Sequence, residues 1–155
     1  MEYTVRAARI TDIDKLVALS GELIGARGTG TALDAADLLR QLVYLPHASV
    51  LVAESRRDIV GGAILAIRPS VRAGGYVGTI DLLVVGPTAD ADAVTESLLE
   101  EAIRSAGNKG CASVEAPRPD DPAEWARWEH QGFSEVGPLM GRTLAPAGAG
   151  GRRAR

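Results

Sequence analysis

Aromatic side chains are scarce in this chain, at 4% of 155 residues: Tyr3, Tyr44, Tyr76, Trp125, Trp128 and Phe133. A core with so few rings must be built from Ala, Val, Leu and Ile, and hydrophobic residues do reach 46%. Cysteine is nearly absent. The single Cys111 excludes an internal disulfide and fits a reducing cytoplasm. Long apolar runs are also missing. Ile59–Ile67 falls far short of the roughly 20 residues that a membrane helix needs. There is no excess of positive charge, with 17 basic against 20 acidic residues and a net charge of −3. The only basic cluster is Arg152, Arg153 and Arg155, so neither nucleic acid nor membrane is an expected partner. Met1-Glu2-Tyr3-Thr4 carries no basic flank or apolar run, so no signal peptide is expected. His47 and His130 are too isolated to suggest a metal site. Neither a Gly-x-Ser-x-Gly elbow nor a Gly-x-x-x-x-Gly-Lys-Ser/Thr loop is present.

The length suits one domain, expected over 1–144, with a disordered Gly/Ala/Arg tail over 145–155. Tyr3–Ala7 alternates like a strand. Thr11 starts a helix with Asp14 three residues on, and Ile13, Leu16, Val17, Leu23 and Ile24 form its apolar stripe. Gly21, Gly25, Gly28 and Gly30 open a loop. A second helix follows from Asp34, with Leu38, Leu39, Leu42 and Val43 on its buried side. Ser49–Ser55 and Ile59–Arg68 read as a hairpin around Arg56-Arg57-Asp58, and Gly61-Gly62 marks a bulge or a close backbone approach. Tyr76–Val85 is a central strand, with Ile80, Leu82 and Val84 on one face and Leu83 and Val85 on the other. Asp92–Ala106 is a helix, Ala112–Ala116 a strand, and Asp121-Pro122 opens a last helix. Ser134–Val136 and Leu139–Leu144 read as two short strands. The fold class is α/β (α+β): a mixed, mostly antiparallel sheet of six to seven strands flanked by about four helices.

Two local patterns sit inside this order. Val84-Val85-Gly86-Pro87 runs without a gap to Leu98-Leu99, and Trp128-Glu129-His130-Gln131-Gly132-Phe133 follows near the end. Together they resemble the GNAT-type N-acetyltransferase family over Tyr3 to Leu144. Its patterns are Val-Val-x-Pro before Arg-Gly-x-Gly-x-Gly/Ala, and Tyr-Glu-x-x-Gly-Phe. The resemblance implies acyl transfer from acetyl-CoA to an amine. It also implies a fourth strand that splays from the fifth, with the backbone of Leu83, Val84 and Val85 pairing with the pantetheine arm. The six positions of the family's pyrophosphate loop read Asp90-Ala91-Asp92-Ala93-Val94-Thr95 here. Free N–H groups at a helix start favour an anion. Here Asp90 replaces the arginine, and side chains replace the glycines. A carboxylate about 5 Å from a phosphate charge costs about 3 kcal/mol at an effective dielectric of 20 and below 1 kcal/mol in open water. Asp90 or Asp92 can instead cap the helix.

Other candidates follow from their positions. The segment 88–101 holds Asp90, Asp92, Glu96, Glu100 and Glu101 and no Lys or Arg, with Asp120, Asp121 and Glu124 expected opposite. Such a run is either a solvated helix face or a cleft that favours a cation. Trp128 stands where family members often have a tyrosine that protonates the leaving thiolate. Indole N–H cannot act as that acid, but a tryptophan can pack against pantetheine or in the core. Asp81 lies mid-strand. A dry, unpaired carboxylate holds its proton more tightly and suits a general base. Its alternatives are an ion pair with Arg68 or Arg6, or exposure near a bulge. Glu54 and Glu115 are weaker candidates of the same kind. Two classes of function result. One is an N-acetyltransferase acting on a small-molecule or protein amine, entering beside the Gly21–Leu33 and Arg68–Tyr76 loops. The other is a non-catalytic binding, regulatory or dimerisation module on the same scaffold, in which a homodimer would have a place.

Overall fold

The structure is a computed structural model and describes residues 2–23, 32–88 and 90–144. Five strands form one sheet in the order β1 (Thr4–Ala7), β2 (Ala48–Ser55), β3 (Asp58–Ser70), β4 (Gly75–Val85) and β5 (Cys111–Glu115). The first four are antiparallel, and β5 runs parallel to β4 through a helical crossover. The helices are α1 (Ile13–Ser20), α2 (Ala32–Leu42), α3 (Ala91–Asn108) and α4 (Pro122–His130). The architecture is the mixed α/β one expected, with five strands rather than six to seven. The segments read as strands at 134–136 and 139–144 join no ladder among the described residues. Gly137, at φ +133°, and Pro138, which lacks a donor, interrupt them. Gly25, Gly28, Gly30, Ile24 and the tail 145–155 lie outside the described residues.

The sheet divides two cores. On one face Leu51, Leu65, Ile80, Val94, Leu98, Leu99 and Trp128 pack beneath α3 and α4. On the other Ile13, Leu16, Leu39, Val50, Val52 and Ile64 pack beneath α1 and α2. Leu38 and Leu23, both read as buried, are 55% and 66% exposed. Leu23 misses the stripe because α1 stops at Ser20, where Gly21 takes φ +56°. The start of α1 also differs from the Thr11–Asp14 expectation. A short 3-10 turn over Ile10–Asp12 comes first, and the Asp12 carboxylate accepts the Arg9 N–H at 2.7 Å.

Two bulges adjust the sheet. In β3 an extra residue falls at Val60, where Ala53 pairs with Gly61 but Glu54 with Ile59. In β4 the extra residue is Asp81, because Leu82 faces Ile64 while Ile80 faces Leu65. The bulge breaks the face assignment read from alternation. Ile80 joins Leu83 and Val85 under α3, whereas Leu82 and Val84 face α1 and α2. The Gly61-Gly62 pair serves close approach as well. A Cβ on Gly62 would collide with Leu16 Cδ1 and lie 3.2 Å from the Leu51 carbonyl oxygen. Leu16 is fully buried, so it has little room to yield. Gly62→Ala is therefore expected to cost about 1–3 kcal/mol, read as a lower midpoint in urea unfolding.

Candidate functional site

The β4–β5 ladder is short. It joins Tyr76–Thr79 to Cys111–Glu115 and ends there, while β3 continues to pair with β4 as far as Val85. One edge of β4 from Ile80 to Val85 therefore has no strand partner among the described residues. The chain leaves β5 through Ala116-Pro117, and proline cannot extend a ladder. Leu83, Val84 and Val85 lie on this open edge, half-buried. The edge leads to α3 through Gly86, whose N–H donates to the Val60 carbonyl at 2.9 Å.

The start of α3 carries the six loop positions. Asp90 stands at the N-cap, and its carbonyl accepts the Val94 N–H at 2.9 Å. Val94 is fully buried, and Thr95 turns its hydroxyl back to the Ala91 carbonyl at 2.8 Å, so both side chains serve the fold. The Ala93 carbonyl accepts the Tyr3 hydroxyl at 3.1 Å. Asp92 does not cap. Its Oδ1 accepts Arg127 Nη2 of α4 at 2.6 Å. The same guanidinium donates to Glu124 Oε2 at 2.6 Å and lies 4.0 Å from Glu96, which Gln131 also contacts. Arg127 is mostly buried at 14% exposure, whereas the Asp92 side chain is 91% exposed. The acidic run thus has a basic centre after all, supplied from 35 residues away in sequence. Only the Glu124–Arg127 spacing of three on a helix hinted at it.

The remaining candidates separate. Asp81 is exposed at its bulge, so its carboxylate is wet rather than dry, and neither named arginine pairs with it. Arg68 reaches Glu115 at 3.5 Å, and Arg6 is bound by Asp12 at 2.7 Å and Glu54 at 3.0 Å. That accounts for Glu54 and Glu115 as ion-pair partners. Trp128 is 7% exposed in the core and meets Phe133 edge-to-face, with centroids 4.9 Å apart. Burial pushes the Cys111 thiol up, which keeps it protonated at neutral pH. Among the described residues no group of three His, Cys, Asp or Glu side chains could hold a metal ion.

No family model matches the chain, and no curated relative does. Solved structures do match. A Trypanosoma brucei acetyltransferase aligns at TM-score 0.73 with 23% identity, covering 92% of this chain and 100% of its own. An aminoglycoside N-acetyltransferase in complex with CoA aligns at 0.74 with 17% identity, covering 92% and 95%. A transcriptional regulator from Bacillus halodurans aligns at 0.76 with 19% identity, covering 92% and 100%. With the short β4–β5 ladder and the bulge in β4, these alignments show that the chain has the fold of GNAT-type N-acetyltransferases.

Proposed function

We propose that the chain transfers an acetyl group from acetyl-CoA to an amine. The observation that carries this reading is the unpaired edge of β4 at Leu83–Val85. Backbone N–H and C=O groups left free there offer an extended arm the partners that β5 does not take. Side-chain identity hardly matters to such pairing, so the pantetheine arm fits. The pyrophosphate fits less well, because Asp92 already holds the guanidinium beside α3. Bound acetyl-CoA supplies the acyl group as a thioester. The chain's own contribution is positioning, with Asp81 as the group that takes a proton from the incoming amine. The acceptor, a small-molecule or protein amine, enters over the turn between β3 and β4. A reducing cytoplasm agrees with the lone Cys111, and among the described residues no helix is long and apolar enough to cross a membrane.

Titration calorimetry and thermal shift with millimolar acetyl-CoA test the reading. Heat and a raised melting temperature are expected, and the absence of both would remove it. Given turnover, Asp81→Asn is expected to lower kcat by about 100-fold, the lower end for a general base, since this carboxylate is exposed. An unchanged kcat would reduce the chemistry to positioning alone.

A second reading, a non-catalytic binding or regulatory module, is favoured by the Asp92–Arg127 pair together with the burial of Trp128. The first puts a carboxylate where a phosphate would sit, and the second leaves no acid at the tyrosine position. Measured acetylation of any amine rejects it.

A further inference from the structure

The two halves of acetyl-CoA would meet very different surfaces on this chain. The pantetheine half meets a strand edge. From Ile80 to Val85 one side of β4 has no ladder partner among the described residues, and Leu83, Val84 and Val85 are half-buried. Pantetheine carries amides of its own, so its needs are those of a short peptide strand, neutral donors and acceptors at peptide spacing. No charge has to be matched there.

The nucleotide half meets a helix start that the chain fills from within. The ladder of α3 begins at the Val94 N–H, which donates to the Asp90 carbonyl at 2.9 Å, so only the amides of Ala91, Asp92 and Ala93 precede it. The Ala91 N–H already donates to the Thr88 carbonyl at 3.2 Å. Asp92 and Ala93 carry side chains, and a Cβ keeps a phosphate from closing on the backbone as it would on glycine. The cation beside them is committed as well. Arg127 lies 2.6 Å from Asp92, 2.6 Å from Glu124 and 4.0 Å from Glu96, so three carboxylates share its one positive charge. The segment 88–101 has no Lys or Arg of its own. A pyrophosphate at α3 would therefore gain no unshared charge and would face repulsion from the exposed Asp92 carboxylate.

Given the acetyl-transfer reading, on which this rests, we infer that the site recognises its acyl donor by the pantetheine arm alone, with Asp92 as the residue that denies the nucleotide a hold. The donor class is then S-acyl pantetheines, whatever is attached beyond the pantetheine.

Titration calorimetry of the full chain tests this with acetyl-CoA, S-acetyl-pantetheine and adenosine 3′,5′-bisphosphate, the nucleotide end without its arm. The two thioesters are expected to bind within about tenfold of each other, and the nucleotide is expected to give no heat at millimolar concentration. Added salt should hold or tighten acetyl-CoA binding, because it screens repulsion, whereas it would weaken a phosphate cradle. In turnover, Asp92→Asn is expected to favour acetyl-CoA over S-acetyl-pantetheine by up to about fivefold in kcat/KM. An unchanged ratio overturns the role of Asp92. Acetyl-CoA binding that is more than about tenfold tighter, the worth of one charge-assisted hydrogen bond to its phosphates, overturns recognition by the arm alone and leaves acetyl transfer standing. Heat from the nucleotide does the same. Heat from neither thioester overturns both.

Discussion

Asp12→Ala is expected to destabilise the protein by about 3–5 kcal/mol, the usual cost of removing one member of a buried ion pair. The Asp12 carboxylate is 7% exposed and accepts Arg6 Nη1 at 2.7 Å, Arg6 Nη2 at 3.2 Å and the Arg9 N–H at 2.7 Å. Arg6 is itself fixed on β1 and also serves Glu54 of β2. Removing Asp12 would leave a mostly buried guanidinium half-satisfied and the turn before α1 without its cap. Urea unfolding checks the magnitude. The pH dependence provides a second test. The hydrogen bonds from Arg6, more than any other cause, hold the Asp12 carboxyl below the usual aspartate range. A carboxyl depressed in the folded state stabilises the fold above its unfolded value and loses that contribution as pH falls through the folded one. The wild type should therefore lose stability below about pH 4, and Asp12→Ala should flatten that acid limb. A variant that unfolds with the wild-type midpoint and acid limb would show that the network is dispensable.

Asp92→Gly is expected to tighten acetyl-CoA binding by up to about fivefold, which corresponds to relieving up to about 1 kcal/mol of repulsion between a solvent-exposed carboxylate and a pyrophosphate. The sign is unusual for a substitution that deletes an ion pair. It follows from exposure: the Asp92 side chain is 91% solvent-accessible, so its bond to Arg127 contributes little to stability. Removing it frees one edge of a guanidinium that Glu124 still holds at 2.6 Å beside the first turn of α3. Calorimetry against acetyl-CoA and against an acetyl-pantetheine fragment separates the causes. The gain should appear only with the ligand that carries the phosphates and should shrink with added salt. Equal affinity for the variant and the wild type would mean that the phosphates of the ligand never approach α3.

Most of the architecture was legible in the sequence because period-2 and period-3.6 patterns are local. Tyr76–Val85 read as a strand with two apolar faces, and Leu98-Leu99 read as the inner side of a helix. The bulge at Asp81 was legible only as one alternative for that carboxylate, exposure near a bulge, since apolar residues on both faces hide an inserted residue from alternation. The segments 134–136 and 139–144 failed differently. Alternation says that a segment suits a sheet, not that a sheet edge is within its reach. The acidic run of 88–101 was legible, but its neutralisation was not. Arg127 comes to Asp92 only when α4 packs beside α3, and no spacing rule spans 35 residues. Likewise Arg6, Asp12 and Glu54 were visible as charges, but their clustering needed β1 to pair with β2.

The bulge in β4 behaves like a change of reading frame. Residues before Asp81 are written in one phase and residues after it in the other, and the two hydrophobic cores are decoded from the same strand under opposite parities. Losing Asp81 would therefore leave both cores in register: Ile80 would still face Leu65, Leu82 would still face Ile64, and the ladder would become regular. What would go is the bend that an inserted residue gives its strand. Deletion of position 81 should spare the two cores while straightening the edge that the proposed function requires to stay open.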